Sequence, residues 1–220
     1  MATPSREIVL GNIRKALRDN PAPMPFPEVE KKEGIYVRED IGVEEKFASE
    51  FAKLGGKFIY CGSEKELIQQ LEALQDTMKW PHIHVRDQFL LQLFAPHQLD
   101  FIRPGQDMQD IEVGMSLCEC LVARTGSVLL SSSGEYGRAL PVYAPIHITI
   151  AFMHQVVWDV EDSIRLMQEK YPTGLPSMLS LTTGPSRTAD IEKTLVVGVH
   201  GPKEVYVFLL DSNWKQEEAD

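Results

Sequence analysis

From Val43 to Leu210 the apolar positions switch repeatedly between a helical and an extended period, which predicts alternating helices and strands. Phe47, Phe51 and Leu54 share one helical stripe, so Val43 to Leu54 reads as a helix that Gly55-Gly56 ends before a short strand, Lys57 to Cys61. Ser63 to Leu74 opens with a Ser63–Glu66 capping box and sets Leu67, Leu71 and Leu74 on one face. Ile83 to Val85 and Asp87 to Phe94 repeat the strand-then-helix order.

The middle of the chain departs from this rhythm. Ile111 to Val122 and Ser127 to Ser131 are two strand-like runs with only Ala123-Arg-Thr-Gly126 between them, a gap that suits antiparallel neighbours. A helix at Gly137 to Tyr143 follows, then strands His147 to Phe152 and Gln155 to Trp158. After these come a helix Glu161 to Tyr171, a strand Met178 to Thr182, a helix Ala189 to Val197 and a strand Glu204 to Leu210. The sum predicts a three-layer α/β sandwich with a mainly parallel sheet and antiparallel additions.

The N-terminal part differs in character. Ser5 to Arg18 aligns Ile8, Ile13 and Leu17 on a helical stripe, and Asn20 to Phe26 then alternates three prolines, which forces extended backbone. The expected organisation is an N-terminal helix and Pro-rich arm over residues 1–34, an α/β domain over 35–213 and a solvated tail over 214–220.

Composition narrows the partners. With 220 residues, 43% apolar content and a net charge of −10, the chain can bury a sizeable core, and its field repels nucleic acid and anionic lipid. No apolar run approaches the roughly 20 residues of a membrane span, and a cytoplasmic location is expected. Cys61, Cys118 and Cys120 are too few for a disulfide framework or a four-cysteine cluster, and Cys118 with Cys120 should share one face of a strand as core thiols. His82 and His84 also share a face by alternation but lack accompanying carboxylates, so no metal site is expected.

The main candidate chemistry sits at Leu181-Thr-Thr-Gly-Pro-Ser-Arg-Thr-Ala-Asp190, read as a strand-to-helix junction at the carboxyl end of a sheet strand. Gly184 permits close approach of the backbone, Ser186 or Thr188 can cap the following helix, and Asp190 answers part of its dipole. Arg187 then leans outward as a clamp for a carboxylate or phosphate. The competing reading has Arg187 paired with Asp190 or Glu192.

His200, beyond the same helix, is a candidate acid or base, set against a purely structural role about three turns, ~15 Å, from the anion site. Ser132 and Ser133, in the loop Ser131 to Arg138, supply hydroxyl and amide donors for an oxyanion. Glu135 in that loop is a candidate nucleophile or base, or an exposed turn carboxylate. Neither this loop nor Ala123 to Ser127, which holds Gly126, matches a phosphate-binding P-loop.

GPSRTADIEKTLVVGVHGP (184–202), ARTGS (123–127), LLSSSGEYGRALPVYAPIHI (129–148) and the early helix with its proline arm together resemble the lactate utilisation protein C family, the LutC/YkgG or LUD-domain proteins. The resemblance covers residues 5–210. It implies a fold of the NagB/RpiA/CoA-transferase-like superfamily, which also includes formyltetrahydrofolate cyclo-ligase.

It further implies membership of a three-component bacterial system that oxidises L-lactate to pyruvate, in which the other two components carry iron–sulfur clusters and this one carries none. Gly126, Ser186, Arg187, Thr188, Asp190 and His200 are motif positions under that resemblance. The implied role is a cluster-free accessory subunit that docks on iron–sulfur partners and binds a small anion, such as lactate, pyruvate or a nucleotide. The alternatives are a stand-alone acyl-transfer or ATP-dependent ligase-type enzyme, for which Glu135 would be the nucleophile by analogy with CoA transferases, and a pure assembly module gripping a partner through its N-terminal helix.

Overall fold

A computed structural model describes residues 4–19, 38–105, 111–188, 196–198 and 201–211. The chain divides into two compact units, 1–40 and 41–220. The first contains α1 (Pro4–Asp19), on which Ile8, Val9, Ile13 and Leu17 are exposed.

The second unit is built on six parallel strands: β1 (Lys57–Cys61), β2 (Ile83–Val85), β3 (Ile102–Pro104), β4 (Val113–Leu117), β7 (Ile146–Phe152) and β12 (Glu204–Leu210). Their spatial order is β1-β12-β7-β4-β2-β3. A second sheet, ordered β8-β5-β6-β9, joins β5 (Cys120–Val122), β6 (Ser127–Ser131), β8 (Val156–Val157) and β9 (Leu179–Thr182), with β6 antiparallel to both of its neighbours.

The parallel sheet is covered on both faces, which is why β7 and β12 are almost continuously apolar. Tyr206, Phe208 and Leu210 enter one core with α3 (Glu64–Met78) and α4 (Gln88–Phe94). Val205, Val207 and Leu209 enter the other with α2 (Val43–Lys53), α5 (Leu140–Tyr143) and the second sheet. A third, smaller core places Met167 of α6 (Val160–Lys170) against Cys120, Val122 and Leu129. The architecture is therefore the expected three-layer α/β sandwich, with a parallel sheet and a mixed annex in which β5 and β8 run parallel.

Local signals explain the boundaries. Ser63 Oγ accepts the Glu66 amide at 3.2 Å as the N-cap of α3, while Glu66 reaches back one residue further than a capping box requires and takes the Gly62 amide at 2.9 Å. Gly126, at φ +60, ends the turn after β5, and a Cβ there would lie 2.6 Å from the Phe51 amide nitrogen, so only glycine lets this loop meet α2. Arg124 of the same loop forks onto Asp159, the N-cap of α6, through bonds of 2.9 and 2.8 Å. Replacing Arg124 with methionine is expected to remove about 1–2 kcal/mol of stability, measurable by urea denaturation, because a partly buried bidentate charge pair and the order of a helix start are lost together.

Two sequence expectations need correction here. Ile111 to Val122 is not one strand: β4 ends at Leu117 in the parallel sheet and β5 begins at Cys120 in the other, so Cys118 and Cys120 lie in different cores and share no strand face. The Gln155 amide stabilises the crossing by donating to the Cys118 carbonyl at 2.7 Å and the Glu119 carbonyl at 3.3 Å. The helix placed over Ala189 to Val197 is contradicted at its carboxyl end, because Val196–Val197 (β11) is a strand that pairs antiparallel with Arg187–Thr188 (β10). Residues 189–195 lie outside the described residues. The β-branched Thr188, Val196 and Val197 favour the extended backbone, and that preference outweighs the helical spacing.

Candidate functional site

The carboxyl ends of β2, β4 and β7 open into a cavity of about 290 Å³. Chain entering this region from three adjacent parallel strands carries the polar groups, as expected for an open α/β sheet. Asp87 follows β2, Glu119 lies at the crossing from β4 to β5, and His154 with Gln155 follows β7. Lys170 and Tyr171 arrive from the end of α6, and Ser133 and Glu135 from the loop after β6.

Glu119 is buried and fully engaged. It accepts from Lys170 Nζ at 2.9 Å, from Tyr171 Oη at 3.1 Å and from Ser131 Oγ. Burial, the largest single influence, pulls the Lys170 ammonium down, but the bond to Glu119 and the charge of Glu119 together with weaker contributions from neighbouring groups outweigh it and hold this lysine above the ordinary range. Tyr136 accepts the Ser131 amide through its phenolic oxygen at 3.2 Å, and burial pushes its phenol up. His154 stacks on Phe152 at a ring-centroid distance of 5.8 Å, and burial with the nearby Lys170 charge lowers its imidazole.

Asp87 is only 4% exposed. It occupies the N-cap position of α4 but makes no capping bond; the Gln88 amide donates to Glu135 instead. The Asp87 carboxylate receives the Leu117 amide at 3.4 Å, a long contact. Burial first, and the Glu135 charge after the weak compensation from Leu117, push its pKa up to about 6.

A second cavity, of about 480 Å³, lies beside the amino-terminal ends of β7 and β12, where His147 and Val205 form part of its wall. Gly184, Ser186 and Arg187 line it. Arg187 is exposed, and its Nη2 donates to the Leu54 carbonyl at 2.7 Å. Gly184, at φ +72, passes close to α2: a Cβ would stand 3.0 Å from Leu54 Cβ and 3.1 Å from its oxygen. The Ser186 amide donates to the Pro202 carbonyl at 2.8 Å and its carbonyl accepts the Gly198 amide at 3.0 Å, so the loop is tied to the segment that leads into β12. His147 is buried, hydrogen-bonded through Nε2 to Ser116 Oγ at 2.9 Å, and lowered to about 4 by burial, so it stays neutral at physiological pH.

The sequence candidates thus separate. Gly184, Ser186 and Arg187 come together at the second cavity, and the backbone of Thr188 continues from them in β10. Ser133 and Glu135 belong to the strand-end cavity, while Ser132 Oγ meets Ser177 Oγ at 3.1 Å. Gly126 packs on α2. Asp190 and His200 lie outside the described residues.

Arg187 lies in β10, paired with β11, the stretch where a helix was expected to start at Ala189 lies outside the described residues, and β9 belongs to the second sheet and not to the parallel one. Sequence reasoning passed over Asp87, Glu119, His154 and Lys170 as site residues. The available signal was an acidic residue, Glu119, inside the otherwise apolar run Leu117 to Val122.

A parallel sheet covered on both faces, with a polar cavity at its strand ends, defines an α/β protein of the three-layer sandwich class. More narrowly, the sequence model of the LUD domain matches residues 44–210, and the chain belongs to the LUD-domain family. Similar proteins include lactate utilization protein C of Bacillus licheniformis, 34% identical over 109 residues, 48% of this chain and 45% of that protein. The Geobacillus kaustophilus protein of the same name is 36% identical over 106 residues, 47% of this chain and 44% of that protein. These matches span less than half of either relative's length. Among solved structures, a DUF162 family protein from Deinococcus radiodurans shares the fold at a TM-score of 0.56 and 16% identity, covering 76% of this chain and 96% of that one. Among the described residues, no helix is long and apolar enough to cross a membrane.

Proposed function

We propose that this chain serves L-lactate utilisation as a cluster-free subunit, acting with iron–sulfur partners in the oxidation of lactate to pyruvate and holding a small organic anion beside Arg187. Membership of the LUD-domain family and the names of its relatives support the pathway. The observation that carries the site is the exposed guanidinium on the 480 Å³ cavity. Among the described residues lining that cavity Arg187 is the one formally charged side chain, with Ser180, Thr182, Thr183 and Ser186 contributing hydroxyls. A guanidinium has five N–H donors in a planar fork, and among the described residues the Leu54 carbonyl takes a single one.

The cysteines support assigning the clusters to partners. Cluster ligation requires thiolates, and Cys61, Cys118 and Cys120 occupy three separate cores, where burial raises every thiol: Cys61 to about 11, Cys120 to about 12 and Cys118 well above its usual range.

Growth on L-lactate tests the proposal. Cells lacking the chain should fail to grow on it, and a copy carrying Arg187→Ala should fail to restore growth. The purified variant should melt within a few degrees of the parent, since one exposed hydrogen bond to Leu54 contributes about 1 kcal/mol or less. Normal growth with Arg187→Ala would exclude the guanidinium as the anchor.

A further inference from the structure

We propose that the cavity at the carboxyl ends of β2, β4 and β7 is a second binding site, separate from the Arg187 cavity, that takes a small organic ammonium between Asp87, Glu135 and a set of aromatic walls. Three observations converge on that ligand class.

The first is the sign of the charge. Asp87, Glu119 and Glu135 face the cavity against one cation, Lys170, and Lys170 is already spent on Glu119. Glu119 and Lys170 therefore cancel, and the carboxyl groups of Asp87 and Glu135 remain. An organic anion entering here meets uncompensated like charge, whereas an ammonium supplies the missing one.

The second is the state of Asp87. A carboxylate offers about four acceptor positions, and one this deeply buried ordinarily fills them. Asp87 is 96% enclosed, declines the capping bond its position at the start of α4 offers, and receives a single long amide contact from another residue, Leu117. The Gln88 amide, first of α4, donates to Glu135. Burying a carboxyl in this state costs stability, and a donor-rich ligand is what would offset that cost.

The third is the wall. Phe89, Tyr136, Phe152 and Tyr171 line the same space, and aromatic side chains accommodate an alkyl chain and attract a cation, as Tyr171 already does with Lys170 Nζ at 5.7 Å. Its volume, about 290 Å³, is at the lower end of ordinary ligand pockets, which are ~300–1,000 Å³, so the ligand is small.

The test uses three probes of one shape, n-butylammonium, butyrate and 1-butanol, titrated into the full chain at pH 7.5 while amide chemical shifts are followed. Butylammonium should shift the amides of Asp87, Gln88, Leu117 and Glu119 saturably, and the other two probes should not. Asp87→Asn should weaken that binding at least tenfold and Glu135→Gln several-fold. Arg187→Ala should leave it unchanged, so failure here and failure of the lactate-growth experiment are separate results. Equal shifts with butyrate or butanol at these amides, no saturable shift with butylammonium, or undiminished affinity in both carboxyl variants would overturn the proposal. Glu135 is exposed, so its variant tests the site even if Asp87→Asn alters the fold.

Discussion

Replacing Lys170 with methionine is expected to cost about 3 kcal/mol of folding stability, the largest loss predicted for any single side chain on the cavity. Methionine keeps most of the aliphatic stem but leaves Glu119, 5% exposed, with two hydroxyl donors and no counter-charge. Breaking a buried pair by removing one partner costs ~3–5 kcal/mol, and the half-exposed Lys170 places this case at the lower end. In thermal unfolding a loss of that size lowers the midpoint by about 6–12 °C for a domain of this length. The double variant Lys170→Met with Glu119→Gln should recover most of the loss, because it removes the stranded charge as well. A cost below about 1 kcal/mol for the single variant would show that solvent already compensates Glu119.

The second large effect has the opposite sign. Asp87→Asn is expected to stabilise the protein at neutral pH by about 2 kcal/mol. The folded-state pKa of Asp87, about 6, lies above its ordinary value of 3.8, so the native state holds this proton more tightly than the unfolded chain does. Below pH 3.8 the group is neutral in both states and imposes no penalty. As pH rises through 6 the native state must ionise a buried carboxyl, and stability falls across the window from about 4 to 6. A tenfold difference in proton affinity between the two states is worth ~1.4 kcal/mol, which bounds the gain at about 3 kcal/mol, and asparagine can still accept the Leu117 amide. Denaturation midpoints of both proteins at pH 3.5, 5 and 7.5 should converge at the lowest pH and diverge at the highest. A parallel offset at all three would trace the gain to packing and not to charge. A stabilising substitution at a buried carboxyl marks a position retained at a cost to the fold, as functional groups often are.

Much of the domain was legible along the chain. The helical stripe of Phe47 and Phe51, the cap at Ser63 and the two-faced apolar runs of β7 and β12 each express a local rule that tertiary packing reinforces. Residues Gly184, Pro185, Ser186 and Arg187 of the motif line one cavity, and its backbone leads into β10, whose partner β11 replaces the carboxyl end of the helix read there. That misreading has a simple origin: Val196 and Val197 satisfy helical spacing and strand propensity alike, and only pairing with Arg187 and Thr188 selects between them. The strand-end site was largely illegible. Asp87, Glu119, Glu135, His154 and Lys170 are scattered over 84 positions, each separately reading as a cap, a strand interruption, a turn or a helix end.

By itself the sequence determined the class of fold, because the period of apolar residues and the capping and turn chemistry are local properties that any compact arrangement must respect. It also determined the family, since the ordered motif string is a property of the chain. Only the tertiary structure decided where the charges meet. The crossing at Leu117–Cys120 carries Glu119 out of one sheet toward Lys170, and the neighbouring ends of β2, β4 and β7 bring Asp87 beside Glu135, because hydrogen-bonded sheet order and helix packing act between residues that no local pattern connects.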